Sequence, residues 1–428
     1  MRGRLRAGAY ALLVGPLACG PELAASDSEG GGAATSTDAS TETSTGTTAA
    51  GGSETGDGDG DPEAPLDDCA PSDTLDGFIS VQSPEELAQL SGVCGIDGSL
   101  YVRDSAQITS LEPLSSLEWV TGQLVVSELP ALESLAGLSG LRETTGLILR
   151  GLPGLADLSG LDAFEQSAAI GLWDLPTLAG LDTPLTIGHT FTSQATLRFS
   201  VGAIADLDSL EQLPELELIP GRDHFDTMIV DIESSPQLLD LIGVERVLTE
   251  DPSQVDLWLR DLPITDLSGL EGQPILAGLS IRDLPALVSF AGSEDLVEIG
   301  HLLISGASSL PGFIELGGLE RVEQLELGSY CINESGGPDD NPLLMDLSGL
   351  EGVAEIDLLT VSGLSSFDSF AGLSDAVQIG AARLRWNQSL APATIDAFLL
   401  EHGLAIELPS VDYCGNLGEQ PCPPCPGD

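Results

Sequence analysis

Leu257-Trp-Leu-Arg-Asp-Leu-Pro263, followed by Asp266-Leu-Ser-Gly-Leu270, recurs along the chain with small changes. It returns as Leu279-Ser-Ile-Arg-Asp-Leu-Pro-Ala-Leu287 with Phe290-Ala-Gly292. Earlier it reads Leu124-Val-Val-Ser-Glu-Leu-Pro-Ala-Leu132 with Leu135-Ala-Gly-Leu138, then Leu147-Ile-Leu-Arg-Gly-Leu-Pro-Gly-Leu155 with Leu158-Ser-Gly-Leu161. Self-similarity at a fixed period of this kind is the signature of a solenoid. Stacked repeats make long contact surfaces and seldom enclose a catalytic pocket. The period therefore bears on function as well as on fold.

Taking the first inward residue of each repeat as a marker gives Leu100, Leu124, Leu147, Ile170, Leu197, Val230, Leu257, Leu279, Leu302, Leu325, Leu359 and Leu384, mostly 22 to 24 positions apart. Around each marker apolar and polar residues alternate, as in Leu100-Tyr-Val-Arg103, which predicts a short strand with one buried face. A turn follows, then an inward Leu, a Leu-x-Gly-Leu corner where glycine permits positive φ, and a second short apolar segment such as Trp119-Val120. The longest interruption is the polar run at residues 330–342. Ser83-Pro-Glu-Glu86 is a capping box opening a short helix through Leu90, and residues 392–402 read as an amphipathic closing helix. The expected fold is all-β: a right-handed parallel β-helix of about twelve coils with short helical caps at both ends. At ~4.8 Å per coil the stack runs roughly 55–60 Å.

Outside the repeats the chain changes character. Residues 1–19 read as a signal peptide, with Arg2, Arg4 and Arg6 ahead of a short apolar run that is too short to span a bilayer. The run ends in Leu17-Ala18-Cys19-Gly20, which resembles a bacterial lipobox with Pro16 in place of its aliphatic residue; the resemblance implies lipidation of Cys19 and an outer-membrane or cell-surface destination. Residues 20–68 are low in branched aliphatics and aromatics, and read as a disordered acidic Ser/Thr/Gly-rich linker. Asp57, Asp59 and Asp61 alternate with glycine like the start of a calcium loop. Pro62 and Asp68 stand where such a loop needs Gly and Glu, so a solvated linker is the expectation. No cofactor is expected, Ca2+ on acidic loops being the one weak alternative. The solenoid with its caps is placed at residues 69–410 and a Cys/Pro-rich tail at 411–428.

Six cysteines remain beyond Cys19: Cys69, Cys94, Cys331, Cys414, Cys422 and Cys425. An even number in an exported chain suggests disulfides. Cys69 with Cys94 is the expected pair; Cys414, Cys331 and the Cys422-Pro-Pro-Cys425 tail are left open.

The opening Ile79-Ser-Val-Gln-Ser-Pro-Glu-Glu-Leu87, Leu90-Ser-Gly-Val-Cys94 and Ile96-Asp-Gly-Ser-Leu-Tyr-Val102 resembles that of a receptor L domain. This is the leucine-rich-repeat-like β-helix of growth-factor receptor ectodomains and bacterial surface lipoproteins. The Leu-x-Gly-Leu corners and the ending Asn387-Gln-Ser-Leu390 fit the same resemblance, which covers roughly residues 79–408. The strict Asn of ordinary leucine-rich repeats is missing, which favours the L-domain form.

The chain holds 14 basic residues, all arginine, against 68 acidic ones. Such a surface repels nucleic acid and anionic head groups. The four histidines (His189, His224, His301, His402) are scattered, no metalloprotease or phosphate-loop motif is present, and Ser139 and Ser159 sit in recurring corners. One and three places after the markers stand Tyr101 and Arg103, Arg150, Trp173, Arg198, Trp258 and Arg260, Arg282, and Arg385. Six of the eleven arginines outside the signal-like segment thus fall on one outward ladder. Arginine forks and aromatic faces suit carboxylates, sugars or an acidic protein segment. The competing expectation is that each Arg pairs with an acid beside it, such as Asp104, Asp261 or Asp283, and only neutralises the sheet.

The functional expectation is a lipid-anchored, non-enzymatic recognition or adhesion protein that binds a protein or glycan at the cell surface. It would meet the membrane only through its anchor, and bind no nucleic acid. The alternatives are a β-helical carbohydrate-active enzyme, built on pairs such as Arg260–Asp261 or Arg282–Asp283, and a structural envelope protein.

Overall fold

The computed structural model describes residues 70–178, 185–188, 197–219, 227–248, 251–328, 341–404 and 411–418. The chain divides into two units, Met1–Asp67 and Asp68–Asp428, and every described residue lies in the second. The signal-like segment, the linker with its Asp57 run, Cys19, Cys69, Cys331, Cys422, Cys425, His189, His224 and most of the 330–342 insertion lie outside the described residues.

The second unit carries one sheet of sixteen strands, every pair of them parallel. They are β1 (Thr74–Val81), β2 (Gly95–Arg103), β3 (Trp119–Ser127), β4 (Glu143–Arg150), β5 (Gln166–Trp173), β6 (Leu185–Gly188), β7 (Leu197–Gly202), β8 (Leu216–Ile219), β9 (Met228–Glu233), β10 (Val255–Arg260), β11 (Ile275–Arg282), β12 (Glu298–Ser305), β13 (Arg321–Leu327), β14 (Glu355–Ser362), β15 (Gln378–Arg385) and β16 (Val411–Cys414). Apart from β6 and β8, which pair off the main path, the strands follow chain order. This is the parallel β-solenoid of about twelve turns that the period predicts. The two apolar segments expected in each coil are not separate strands. Trp119-Val120 opens β3 itself, and the ladder to β4 is merely interrupted between Val120 and Gln123.

Register aligns the inward column. Leu100, Leu124, Leu147, Ile170, Phe199, Val230, Leu257, Leu279, Leu302, Leu325, Leu359 and Ala382 stand partner to partner across successive strands, and all are buried. Two markers need correction. Leu197 and Leu384 are buried, but Ile170 pairs with Phe199 and Leu359 with Ala382. Leu197/Phe199 and Ala382/Leu384 are both apolar pairs two positions apart on one face. A period-2 pattern cannot tell which member aligns.

Most strands of the main path end in the same turn. Among the described residues, the non-glycine residues with positive φ are Asp104, Glu128, Asp174, Ala203, Ser234, Asp261, Asp283 and Trp386, and each lies four places after the column. Gly151, Gly306, Gly363 and Gly415 fill that place in other coils, also with positive φ. The amide of the turn residue still donates to the next coil, as Asp261 N does to Arg282 O at 3.1 Å and Asp283 N to Ser305 O at 2.9 Å. Its left-handed conformation then takes the chain off the sheet. Asp and Gly tolerate that conformation better than most residues, which accounts for the Asp of the Arg-Asp-Leu-Pro phrase.

The corner glycines do a second job. Gly269 has φ of +117° and Gly349 of +107°, and a Cβ there would stand 2.3 Å from Leu241 C and 2.1 Å from Phe313 C of an adjacent coil. Only a missing side chain lets the coils stack this closely.

Both ends carry short helices. α1 (Pro84–Leu87) has Ser83 as N-cap, its hydroxyl accepting from Glu86 N at 3.3 Å, while Glu86 reaches back to Gln82 N at 2.8 Å. α2 (Pro392–Glu401) buries Ile395, Phe398 and Leu399, and Phe398 stacks on Phe370 at 3.8 Å. Its Leu400 is exposed, so the amphipathic pattern is incomplete. The carboxyl end also holds the asparagines that the repeats lack elsewhere. Asn341 and Asn387 accept from Ala307 N and Leu364 N and donate to Ile304 O and Val361 O. Asn416 Oδ1 takes both the Asn387 backbone and side-chain N–H at 3.0 Å. Cys94 and Cys414 are disulfide-bonded. They belong to opposite ends of the strand order, so their partners lie outside the described residues. Cys414 ends a strand, β16.

Candidate ligand-binding face

Residues at odd offsets from the column point away from the core. Tyr101 and Trp258 stand one place after it, and Arg103, Arg150, Trp173, Arg260, Arg282 and Arg385 three places after. Arg198 stands one place before it, because Phe199 is its coil's column residue. The same correction brings Arg383, one place after Ala382, onto this face. All the ladder residues share one face, then, but they fall into three environments.

At the centre the cations are locked. Asp231, one place after Val230, is 2% exposed and accepts from Arg198 Nη2 and Arg260 Nη2 at 2.6 Å each and from Arg260 Nε at 3.0 Å. Arg260 also pairs with Glu233 at 2.7 Å, and the Trp173 indole N–H donates to Glu233 Oε1 at 3.2 Å. Burial works against the Arg260 charge, but the hydrogen bond and charge of Asp231, with Glu233 and Asp283, reverse this and raise its pKa. The partners are acids on neighbouring strands. Asp261, the acid next to Arg260, instead holds the turn and accepts from Ser234 Oγ at 2.9 Å.

Beside this network Gly278 leaves a notch, since a Cβ there would meet Asp256 Oδ1 at 2.3 Å. Burial raises the Asp256 carboxyl pKa, opposed by the Trp258 indole N–H and the charges of His301, Arg282 and Arg198. The Trp258 ring lies 5.1 Å from the Arg198 guanidinium carbon and 5.6 Å from that of Arg282. Asp256 Oδ1, Trp258 Nε1 and Arg282 Nε are buried, and none reaches a partner at full hydrogen-bond geometry, so the Trp258 indole N–H acts on the Asp256 carboxyl only as a weak, poorly aligned donor. His301 stands 3.8 Å from Glu326.

The amino-terminal third is open. Arg150 is 65% exposed and only 4.0 Å from Glu128; Arg103 lies 3.8 Å from Asp104. Tyr101 sits between the Phe78 ring at 4.8 Å and Gln123, whose Oε1 accepts the phenol O–H at 2.9 Å. Phe78 is 56% exposed. At the other end Arg385 is buried with its guanidinium carbon 5.9 Å from the Trp386 ring.

Asp231, Glu233 and Asp256 escaped the sequence reading, although the odd-offset count that selects the arginines selects these acids too. Gly278 gives no such signal, because a notch is the absence of a side chain. Among the described residues no group of three or more His, Cys, Asp or Glu side chains is placed to hold a metal ion. No helix among them is long and apolar enough to cross a membrane. A shallow groove off this face is lined by Val288, Pro311, Gly312, Ile314, Glu315 and Ser348. No protein family and no curated protein matches the chain in sequence.

Proposed function

We infer that the protein is an exported recognition or adhesion protein of a bacterial cell envelope. It is anchored through lipid on Cys19, carried on an acidic tether, and non-enzymatic. A receptor-L-domain-like solenoid meets a protein or glycan partner with the outer face of its sheet, and Cys69 with Cys94 staples its amino end. The observation that carries this reading is the register. Seven of the eleven arginines beyond the signal-like segment, with Tyr101, Trp173 and Trp258, share that one face of a strongly acidic chain. The turn conformation of Asp261 and Asp283 argues against the rival in which Arg–Asp neighbours act as a catalytic pair.

Two measurements test the proposal. Mass analysis of membrane-fraction protein should find diacylated Cys19, and Cys19→Ser should release the chain into the soluble fraction. Arg150→Glu should abolish binding of the full chain to isolated cell envelopes without moving its unfolding midpoint, and the neutral Arg282→Gln should weaken that binding. Turnover of an acidic polysaccharide, lost on mutating one Arg–Asp pair, would establish the enzyme instead.

A further inference from the structure

The three environments of the outer face differ in what they leave available. Arg198 and Arg260 are committed to Asp231. Asp256, Trp258 and Arg282 present unpaired atoms, but those atoms are closed to solvent. The amino-terminal third combines exposure with loosely held groups.

There the register builds a platform with two halves. Phe78, on β1, and Tyr101, on β2, form an aromatic pair tilted by 50°. Gln123, on β3, spends its oxygen on the Tyr101 hydroxyl, so its amide N–H groups remain to donate. Three places after the column, Arg103, Ser127 and Arg150 are paired in a row. The two arginines thus flank a small hydroxyl residue, about two strand spacings or roughly 10 Å apart. Neither makes a close ion pair: Arg103 lies 3.8 Å from Asp104 and Arg150 4.0 Å from Glu128. Arg103 also leans toward the Tyr101 ring, its guanidinium carbon 6.0 Å from the centroid.

We propose that this platform, Phe78, Tyr101 and Gln123 with Arg103 and Arg150, binds an acidic glycan through one sugar residue bearing a single anionic group. This rests on the outer face being the recognition surface and adds what it recognises there. The apolar C–H face of the sugar lies on the aromatic pair, the Gln123 amide meets its hydroxyls, and the anionic group sits over Ser127 between the two guanidinium groups. The charge of the ligand follows from the neighbours. Asp104 and Glu128 border the cradle, so a monoanion is accepted where a doubly charged phosphate is repelled. An exposed pair of rings beside hydrogen-bonding groups suits a sugar better than an acidic peptide, which brings charge but no apolar ring face.

Calorimetric titration of the full chain tests this with three probes of equal length: a galacturonic acid hexasaccharide, its methyl ester, and a sulfated galactan hexasaccharide. At least one anionic probe should bind and the neutral ester should bind at least tenfold more weakly. Which anionic probe binds distinguishes carboxylate from sulfate. Arg150→Gln and Phe78→Ser, both at exposed positions, should each weaken binding at least tenfold with an unchanged unfolding midpoint. Arg282→Gln should leave it within twofold. Binding of neither anionic probe, or binding indifferent to Arg150→Gln and Phe78→Ser, overturns the proposal. If envelope binding nevertheless depends on Arg282, the outer face remains the recognition surface and only the glycan assignment fails.

Discussion

Arg260 holds Asp231 with two bonds, Nε to Oδ1 at 3.0 Å and Nη2 to Oδ2 at 2.6 Å, across adjacent strands β10 and β9. Arg198 takes the same Oδ2 from the other side. One buried carboxylate thereby bridges two cations across three neighbouring strands, and Glu233 supplies the second negative charge. Asp231→Ala leaves Arg260 with Glu233 alone and Arg198 with only the Ser200 hydroxyl, and should lower stability by about 2–3 kcal/mol. That is below the cost of opening a fully buried pair, because the guanidinium side chains remain 25% and 33% exposed. Replacing all three residues together (Arg198→Met, Asp231→Leu, Arg260→Met) should recover most of the loss. Urea unfolding midpoints at constant slope measure both.

Asp261 occupies the turn for its backbone. Asp261→Gly should change stability by no more than about 0.5 kcal/mol, whereas Asp261→Val should cost about 1–2 kcal/mol, because a β-branched residue resists the left-handed conformation. Equal losses for the two variants, read from thermal midpoints, would show that the carboxylate matters more than the turn.

Asp256 makes stability depend on pH. Its pKa is raised in the folded state, chiefly by burial. The folded protein therefore binds the proton more tightly than the unfolded chain, and stability falls as pH rises from the ordinary carboxylate range through the raised value. Asp256→Asn imitates the protonated form. It should match the wild type below about pH 3.5 and exceed it in unfolding midpoint near neutrality. A midpoint difference that stays constant between those pH values would rule out this linkage.

Two positive-φ glycines, one outside the corners and one in a corner, separate two costs. Gly272 has φ of +78° with nothing within 4 Å of a notional Cβ, whereas Gly349 combines φ of +107° with backbone at 2.1 Å. Gly272→Ala should cost about 1 kcal/mol from conformation alone. Gly349→Ala must also push two coils apart, and should cost at least about 3 kcal/mol. Chemical denaturation of the two variants side by side gives the difference.

The fold was legible because its two main signals repeat. Inward Leu, Ile and Val return at a fixed spacing, and glycine returns at the corners. Register was less so: where two apolar residues share a buried face, as Leu197 and Phe199 do, composition does not choose between them. The ladder came through because arginine is scarce. Its partners did not, because an acid such as Asp231 is one among 68 and only pairing across strands distinguishes it. The asparagines of the last coils were legible as residues but not as a ladder, since Asn387 and Asn416 lie 29 positions apart.

The shared turn has a consequence for anything that lies along the sheet. Phe199 and Val230 are 31 positions apart and Leu257 and Leu279 only 22, yet each pair sits side by side in the ladder. The extra length, which includes β8, is carried off the main strand path, and the outer face along that path stays graduated at ~4.8 Å per coil. A partner with its own repeat meets this face as one scale laid against another. It engages at many coils where the two spacings agree and drifts out of step where they do not. Selectivity of that kind resides in a distance and survives the loss of any single contact.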